Sequence, residues 1–326
     1  MARVGKRSGK NFGYGRQLSY AGPQALQDMY GDGHYGTVKA HSDRWQPFVK
    51  WNRSEGGPRV NDARDISRQI AADYAVYLCG QVERREISAS TALNRMSSFN
   101  QTMAALRGDQ HVKVSSPSKT LGMQRCNVRK TAPQGQDRGQ VRQIVDALRR
   151  DGQLRVAAIV QLARSTGMRF REAVLADLPR LCREADHLGK INIQDGTKGG
   201  RTGASAPRWI AVDEEIRDAL AFAVQVSPEG SRNMVAPNES YKEFVQRIAG
   251  PARDVLHAHN LKGFHELRAA FACERYEQIT QHQAPVIGGQ CYSIDRCLDR
   301  AARMQISREL GHGRTDVVAA YIGGRL

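Results

Sequence analysis

The sequence has no long apolar run, no amphipathic stretch with a cationic face and no lipidation signal, so nothing in it points to a membrane. Its opening, "MARVGKRSGKNFGYGRQ", is basic but leads into no apolar segment, so no secretory leader is read and a cytoplasmic protein is expected. A phosphate-cradling P-loop, a dinucleotide fingerprint and internal repeats are all missing, which leaves nucleotide-driven chemistry and solenoid folds without support. Cysteines are few and scattered: Cys79, Cys126, Cys182, Cys273, Cys291 and Cys297 read as free thiols rather than a disulfide framework. The spacing of Cys273, His282, Cys291 and Cys297 fits no familiar zinc pattern, so no metal is expected. Acidic residues are outnumbered, 33 Asp and Glu against 49 Lys and Arg, for a net charge of +16. Such a surplus suggests a polyanionic partner, and nucleic acid is the leading one.

At 326 residues the chain is long enough for two domains with cores of their own, and 40% hydrophobic with 25% charged residues is ordinary for a globular protein. Residues 1–37 begin with five basic and no acidic side chains in sixteen positions, interleaved with Phe12 and Tyr14 among glycines. They read as a basic N-terminal arm, either lying along phosphates or simply solvated. Residues 38–110 are expected to be helical: Val38, Trp45, Phe48 and Val49 fall at helical spacing, "DARDISRQIAADYAVYLCGQV" repeats the pattern, and Ser88 or Ser90 is placed to cap a third helix. The stretch 111–136, rich in Ser, Pro and basic residues, lacks periodicity and reads as a linker. In 137–326, "RGQVRQIVDALRR" and "LRVAAIVQLARSTG" read as helices, the second apolar on most of its surface and therefore buried. Two β-prone runs, Lys190 to Gln194 and Arg208 to Val212, flank a Gly-rich basic turn and predict a small hairpin. The fold class expected is mainly α with a small β-sheet (α+β).

Four stretches of this second region hold side chains able to act on a phosphodiester. In "STGMRFREAVLADL", Gly167 ends the buried helix and Arg169 opens the next, where free backbone amides and the helix dipole favour an anion. Glu172, three residues on, shares its face and could orient the guanidinium; a surface ion pair of little energetic weight is the alternative. In "FHELRAAF", His265 and Arg268 share a helix face by the same spacing, a proton acceptor beside a bidentate phosphate donor. In "DGTKGGR", Lys198 stands on the tip of the hairpin among glycines, with Arg201 as an alternative cation.

The closing stretch, "ELGHGRTDVVAAYIGGRL", sets His312 nine residues before Tyr321. On an unbroken helix nine steps of about 100° would turn the two side chains apart by about 180°. Gly311 and Gly313 allow a break, and Thr315 is a candidate N-cap for a new helix beginning at Asp316, so a turn could aim both at one point. Taken singly, each of these groups reads more readily as a solvated charge or, for Tyr321, as a packed terminal ring.

Taken in order, Arg169, Lys198, His265, Arg268, His312 and Tyr321 resemble the catalytic set of the tyrosine recombinases, the phage integrase family. The resemblance rests on "TGMRFRE", "TKGGR" followed by "RWIAV", "HELR", "LGHGR" and the tyrosine nine residues after the last histidine. It reaches the first region too, whose Trp45 helix and "ISASTALNRMSSFNQTMAAL" are similar to the family's helical core-binding domain. The chain is similar in flavour to integrases of phages or integrative conjugative elements.

What the resemblance implies is transesterification at a defined DNA site, with no metal or other cofactor. Tyr321 would attack to leave a 3′-phosphotyrosyl bond and a free 5′-hydroxyl. Arg169 and Arg268 would hold the non-bridging oxygens, His265 would act as base, Lys198 would protonate the leaving oxygen and His312 would donate to the phosphate. A free phenol ionises near pH 10, so a phenolate near pH 7 costs about 4 kcal/mol, which a base or clustered cations must offset. The partners implied are double-stranded DNA at attachment sites, three further copies of the chain in a synaptic homotetramer, and a DNA-bending accessory factor, with the protein on the nucleoid when bound. Lys39, Arg44 and Arg201 are assigned to DNA contact.

Two features depart from the family pattern. The segment between Arg268 and His312 is longer, with an insertion placed at 278–300 and expected to be a surface loop, and only Ile322 to Leu326 come after the tyrosine. Two other activities fit similar residues: a type IB topoisomerase, against which the core-binding region argues, and a non-catalytic DNA-binding module, which has no need of the full residue set.

Overall fold

A computed structural model describes residues 8–197, 207–288 and 294–325. Its contacts divide into two compact units, Met1–Cys126 and Asn127–Leu326, each with an apolar core.

In the first unit, α1 (Leu18–Tyr30), α2 (Tyr35–Arg53), α3 (Arg68–Glu83) and α4 (Ala89–Arg107) enclose an aromatic centre. The Phe48 ring lies 4.7 Å from Trp45, 5.1 Å from Tyr74 and 4.8 Å from Phe99, all four side chains being fully buried. Tilted and edge-on pairs at these spacings add to what the buried area contributes. Ser88 rather than Ser90 caps α4, accepting from the Thr91 amide.

Two expectations change in this unit. From residue 8 onward the segment read as a basic arm is packed: Tyr14, Leu18, Ala21, Ala25 and Leu26 belong to the core, and Trp45 Nε1 donates to the Leu18 carbonyl at 2.8 Å. The helical spacing of these residues lies just behind the basic run, whose composition dominates the segment. The stretch read as a linker likewise supplies Val112 and Leu121 to the core and forms the short α5 (Pro117–Thr120). Two isolated apolar residues carry no period, so their burial is visible only in the folded chain.

The second unit runs α6 (Arg138–Arg150), α7 (Leu154–Thr166), α8 (Phe170–Leu175), α9 (Leu178–Leu188), β1 (Lys190–Asn192), β2 (Trp209–Ala211), α10 (Glu214–Val226), α11 (Tyr241–Glu243), α12 (Gly250–Ala258), α13 (Phe264–Thr280), α14 (Arg296–Glu309) and α15 (Ala319–Ile322). Helix α7 is buried on nearly all sides, as its apolar content predicts, and packs on α6, α10 and α13. Its one buried charge is matched: Arg164 donates to the Gly135 carbonyl at 2.8 Å and pairs with Glu274 at 2.6 Å. The hairpin forms as expected, antiparallel with Ile191 opposite Ile210, and is the one sheet among the described residues. Lys198 and Arg201, expected on the turn between the two strands, lie outside the described residues, as does Cys291.

The described parts of the segment read as an inserted surface loop are anchored on the unit at a few points, while residues 281–283 and 295–298 are exposed. Helix α13 runs through Thr280, α14 begins at Arg296, and Ala284 and Ile294 between them are buried in the core. Among the described residues no group of three or more side chains could hold a metal ion, and no helix is long and apolar enough to cross a membrane.

Candidate active site

Helix α7 ends on Gly167, whose φ of +64° suits glycine and where a Cβ would stand 2.5 Å from Phe271 Cδ1. The turn leaves Arg169 at the N-cap of α8. Glu172, one turn in, accepts the Arg169 backbone amide at 2.7 Å and its guanidinium at 2.6 Å. This is no surface ion pair, because Glu172 is 0% exposed. Its Oε2 also accepts from Arg208 at 2.5 Å and lies 3.7 Å from Arg268. Burial alone would raise the carboxyl's pKa, but Arg208, Arg268 and Arg169 outweigh it and bring the value down to about 2. One buried carboxylate thus holds three guanidinium groups.

Arg268 lies one turn into α13, three residues after His265, with its side chain 1% exposed. Its Nε donates to the Tyr321 hydroxyl at 3.3 Å, one terminal nitrogen to the Gly167 carbonyl at 2.5 Å and the other to the Leu310 carbonyl at 2.5 Å. Burial first, then the neighbouring Arg208, pulls its pKa down to about 9, so it stays cationic at neutral pH.

The chain then reverses beyond α14. Gly311 and Gly313 both take φ of +68°, and the His312 amide donates back to the Ser307 carbonyl at 2.8 Å. Thr315 does not act as an N-cap: its backbone is already helical, it makes no side-chain cap bond, and residues Asp316–Val318 form a 3-10 turn leading into α15. The turn is held instead by Ser307 Oγ donating to the Arg314 carbonyl at 2.7 Å and by the Arg129 amide donating to the Ala319 carbonyl at 2.9 Å.

This reversal sets His312 Nε2 3.0 Å from the Tyr321 hydroxyl, 3.3 Å from Arg268 and 3.4 Å from Arg169. A guanidinium can only donate, so Nε2 accepts and the neutral ring carries its proton on Nδ1. Burial, then Arg268, Arg169 and Arg208, hold the imidazole's pKa down to about 4. The expected donor role of His312 toward a phosphate therefore requires the proton to move to Nε2. Tyr321 itself is 4% exposed, its hydroxyl accepting from Arg268 and donating to His312.

The His265 ring lies 5.3 Å from that of Tyr321, without a hydrogen bond to its hydroxyl. Although the His265 side chain still meets solvent, the protein packed around it, followed by Arg268 and Arg129, lowers its pKa. Five of the six side chains picked out in the sequence thus meet around one point: Arg169, His265, Arg268, His312 and Tyr321. Lys198, the sixth, lies outside the described residues. Lys39 and Arg44 are exposed on α2 of the other unit, Lys39 paired with Asp43 at 3.0 Å.

Sequence reasoning passes over Arg208. The side chain is 3% exposed and donates to the Glu309 carbonyl at 2.5 Å, to Glu172 at 2.5 Å and to the Gly167 carbonyl at 3.0 Å. One signal was present: alternation along the strand places Arg208 on the same face as Ile210, and a basic residue on a core-facing register calls for a buried carboxylate.

A family of known proteins, the integrases, matches residues 126–274. That span is what the chain shares with the integrase family. The matched span includes Arg169, Lys198, His265 and Arg268, whereas His312 and Tyr321 lie beyond it. Solved structures extend the likeness to nearly the whole chain. A Tn1549 transposon integrase in complex with a circular intermediate DNA is 10% identical, with a TM-score of 0.54 over 94% of this chain and 95% of that one. The Tn1549 integrase in complex with transposon right end DNA is 13% identical, with a TM-score of 0.55 over 92% and 94%. A lambda integrase dimer bound to a COC′ core site is 16% identical, with a TM-score of 0.51 over 92% and 93%. At such identities the likeness is one of fold. No curated protein matches the chain by sequence.

Proposed function

We propose that this protein is a site-specific DNA recombinase that cuts and rejoins double-stranded DNA through a 3′-phosphotyrosyl intermediate, for integration or excision of a mobile element. The observation that carries the reading is the meeting of the Tyr321 hydroxyl with Arg268 and His312, two phosphate-binding groups, at 3.3 and 3.0 Å. The net charge of +16 and the DNA-bound state of the Tn1549 and lambda integrases support DNA as partner.

In the reaction the phenolic oxygen forms a bond to phosphorus as the bond from phosphorus to the 5′ oxygen breaks. His265 takes the phenolic proton and Lys198 supplies one to the leaving oxygen. Arg169, the more exposed of the two guanidinium groups at 30%, meets the phosphate first. Arg268, and His312 once it carries a proton on Nε2, turn from the phenol to the non-bridging oxygens, where their hydrogen bonds count most as negative charge develops in the transition state. One ester replaces another, so the bond energy is conserved for rejoining to a second strand. Synapsis of four protomers, a DNA-bending accessory factor, DNA contact through Lys39, Arg44 and Arg201, and a cytoplasmic, nucleoid-associated location belong to the same proposal.

A nicked suicide substrate built from the element's own ends tests it. The expected product is a denaturation-resistant adduct of protein and DNA that vanishes in Tyr321→Phe. An adduct that persists in the variant would mean another nucleophile. Site-specific binding without any adduct would mean a non-catalytic module, and relaxation of a plasmid lacking the site would mean a topoisomerase.

A further inference from the structure

Arg169 and Arg268 have their roles in the proposed reaction; the third guanidinium beside them does not. Arg208 sits at the root of β2, where its amide donates to Asn192 Oδ1 at 2.9 Å and its carbonyl accepts from the Ile193 amide at 3.1 Å. From that anchored position the side chain runs inward and commits all three nitrogens. Its partners are those of Arg268 or their neighbours: both arginines donate to the Gly167 carbonyl, both face Glu172 Oε2, and the Glu309 and Leu310 carbonyls that they cap are adjacent. Carbonyls at a helix end have no intrahelical partner, so the two arginines tie the end of α14 to the end of α7. The chain passes directly over this tie on its way to His312, since a Cβ on Gly311 would stand 3.1 Å from Arg208 Cδ.

We infer that Arg208 is a positioning residue for DNA cleavage, holding Glu172, the end of α7 and the end of α14 at the spacing that lets Arg268 and His312 face one phosphorus atom. The inference rests on the proposed function of the site. Arg208 does not itself meet the phosphate, because it is buried and its nitrogens are taken. A lysine would keep the charge but not the three-way tie.

The test uses the full chain with two readouts. In Arg208→Met, adduct formation on the nicked substrate is expected to fall about 100-fold, the scale of an ångström's misplacement, with site affinity little changed. The second readout is the imidazole titration of His312 by NMR. The charged and titratable groups facing that ring are Arg268, Arg169, Arg208, Glu172 and Tyr321, and removing one cation moves its pKa from about 4 toward the ordinary 6.5. Arg208→Lys is expected to restore most of the titration and part of the rate.

An unchanged adduct rate in a folded Arg208→Met overturns the inference. So does an equal loss in the Met and Lys variants with the His312 titration unmoved in both, since that is what a merely structural role produces. Should Arg208→Met fail to fold, the Glu172→Gln/Arg208→Met double, in which both members of the closest buried pair are neutral, and Arg208→Lys carry the same readouts. An absence of adduct in the parent protein is a different result: it removes the proposed function, and the His312 titration then reports only whether Arg208 tunes the site.

Discussion

The Tyr321 hydroxyl lies 3.0 Å from His312 Nε2, although the nine residues between them would set the two on opposite sides of a straight helix. Two left-handed glycines and a 3-10 turn make the difference. On the proposed function the contact bears on chemistry far more than on stability. In Tyr321→Phe the adduct is expected to disappear, while urea unfolding shows a loss of no more than about 1 kcal/mol, the net worth of a hydroxyl's hydrogen bonds. A much larger loss would mean that the phenol is a structural strut.

Arg169→Ala and Arg268→Ala are both expected to bind the DNA site and fail to cleave it, because in the proposed reaction each acts most strongly on charge that develops in the transition state. Their effects on folding should differ. The Arg268 side chain is 1% exposed and the Arg169 side chain 30% exposed. Removing Arg268 strips partners from the buried Gly167 and Leu310 carbonyls and a cation from beside Glu172, for a loss of about 3–5 kcal/mol. Arg169→Ala should lose about 1 kcal/mol. Denaturant midpoints of the two variants measure the gap, and equal values would contradict it.

Acid should weaken the fold in two steps. His312 titrates near 4 in the folded protein against an ordinary 6.5, so between those values the unfolded chain binds a proton that the folded one does not. Its contribution is complete above 6.5 and is lost as pH falls toward 4, and the lowered His265 acts in the same direction. Glu172, brought down to about 2 from 4.5, contributes fully above 4.5 and loses its part below. Urea unfolding from pH 7 to pH 3 should show both steps, with His312→Gln shrinking the upper one and leaving the lower. A phosphate beside His312 favours the imidazolium, so DNA binding near pH 5.5 should take up protons, seen as a heat that varies with the buffer's ionisation enthalpy.

Two glycines with nearly the same φ should respond differently to alanine. At Gly167 the added methyl would stand 2.5 Å from the Phe271 ring, whereas at Gly313 nothing lies within 4 Å. Gly313→Ala should cost about 1 kcal/mol, the backbone strain alone. Gly167→Ala adds overpacking for roughly 3 kcal/mol in total and shifts the carbonyl that receives both Arg208 and Arg268, so cleavage should fall with it. Similar melting temperatures for the two variants would argue against that packing.

Much of the architecture was legible because it depends on near neighbours in the chain. The burial of α7 comes from an apolar surface, the α4 cap from Ser88, and the hairpin from two β-prone runs around glycines. Helix α1 was obscured by the charge of the run before it, and Val112 and Leu121 had no period to reveal them. Thr315 has the right chemistry for a cap, but the turn is held by the Ser307 hydroxyl and the Arg129 amide, and distant partners leave no mark on local spacing.

The chain's own order of residues singled out the groups proposed to act on a phosphodiester: two arginines, two histidines, Lys198 and a tyrosine, with Glu172 one turn from Arg169. Residue type and helical spacing are local, and they survive without any fold. Only the tertiary structure decided that Glu172 is a buried hub rather than a surface partner, that His312 Nε2 accepts rather than donates, and that Arg208 stands beside Arg268 on the Gly167 carbonyl. Burial and charge state depend on what residues far apart in sequence bring into the same few ångströms, where a low dielectric makes each neighbour count.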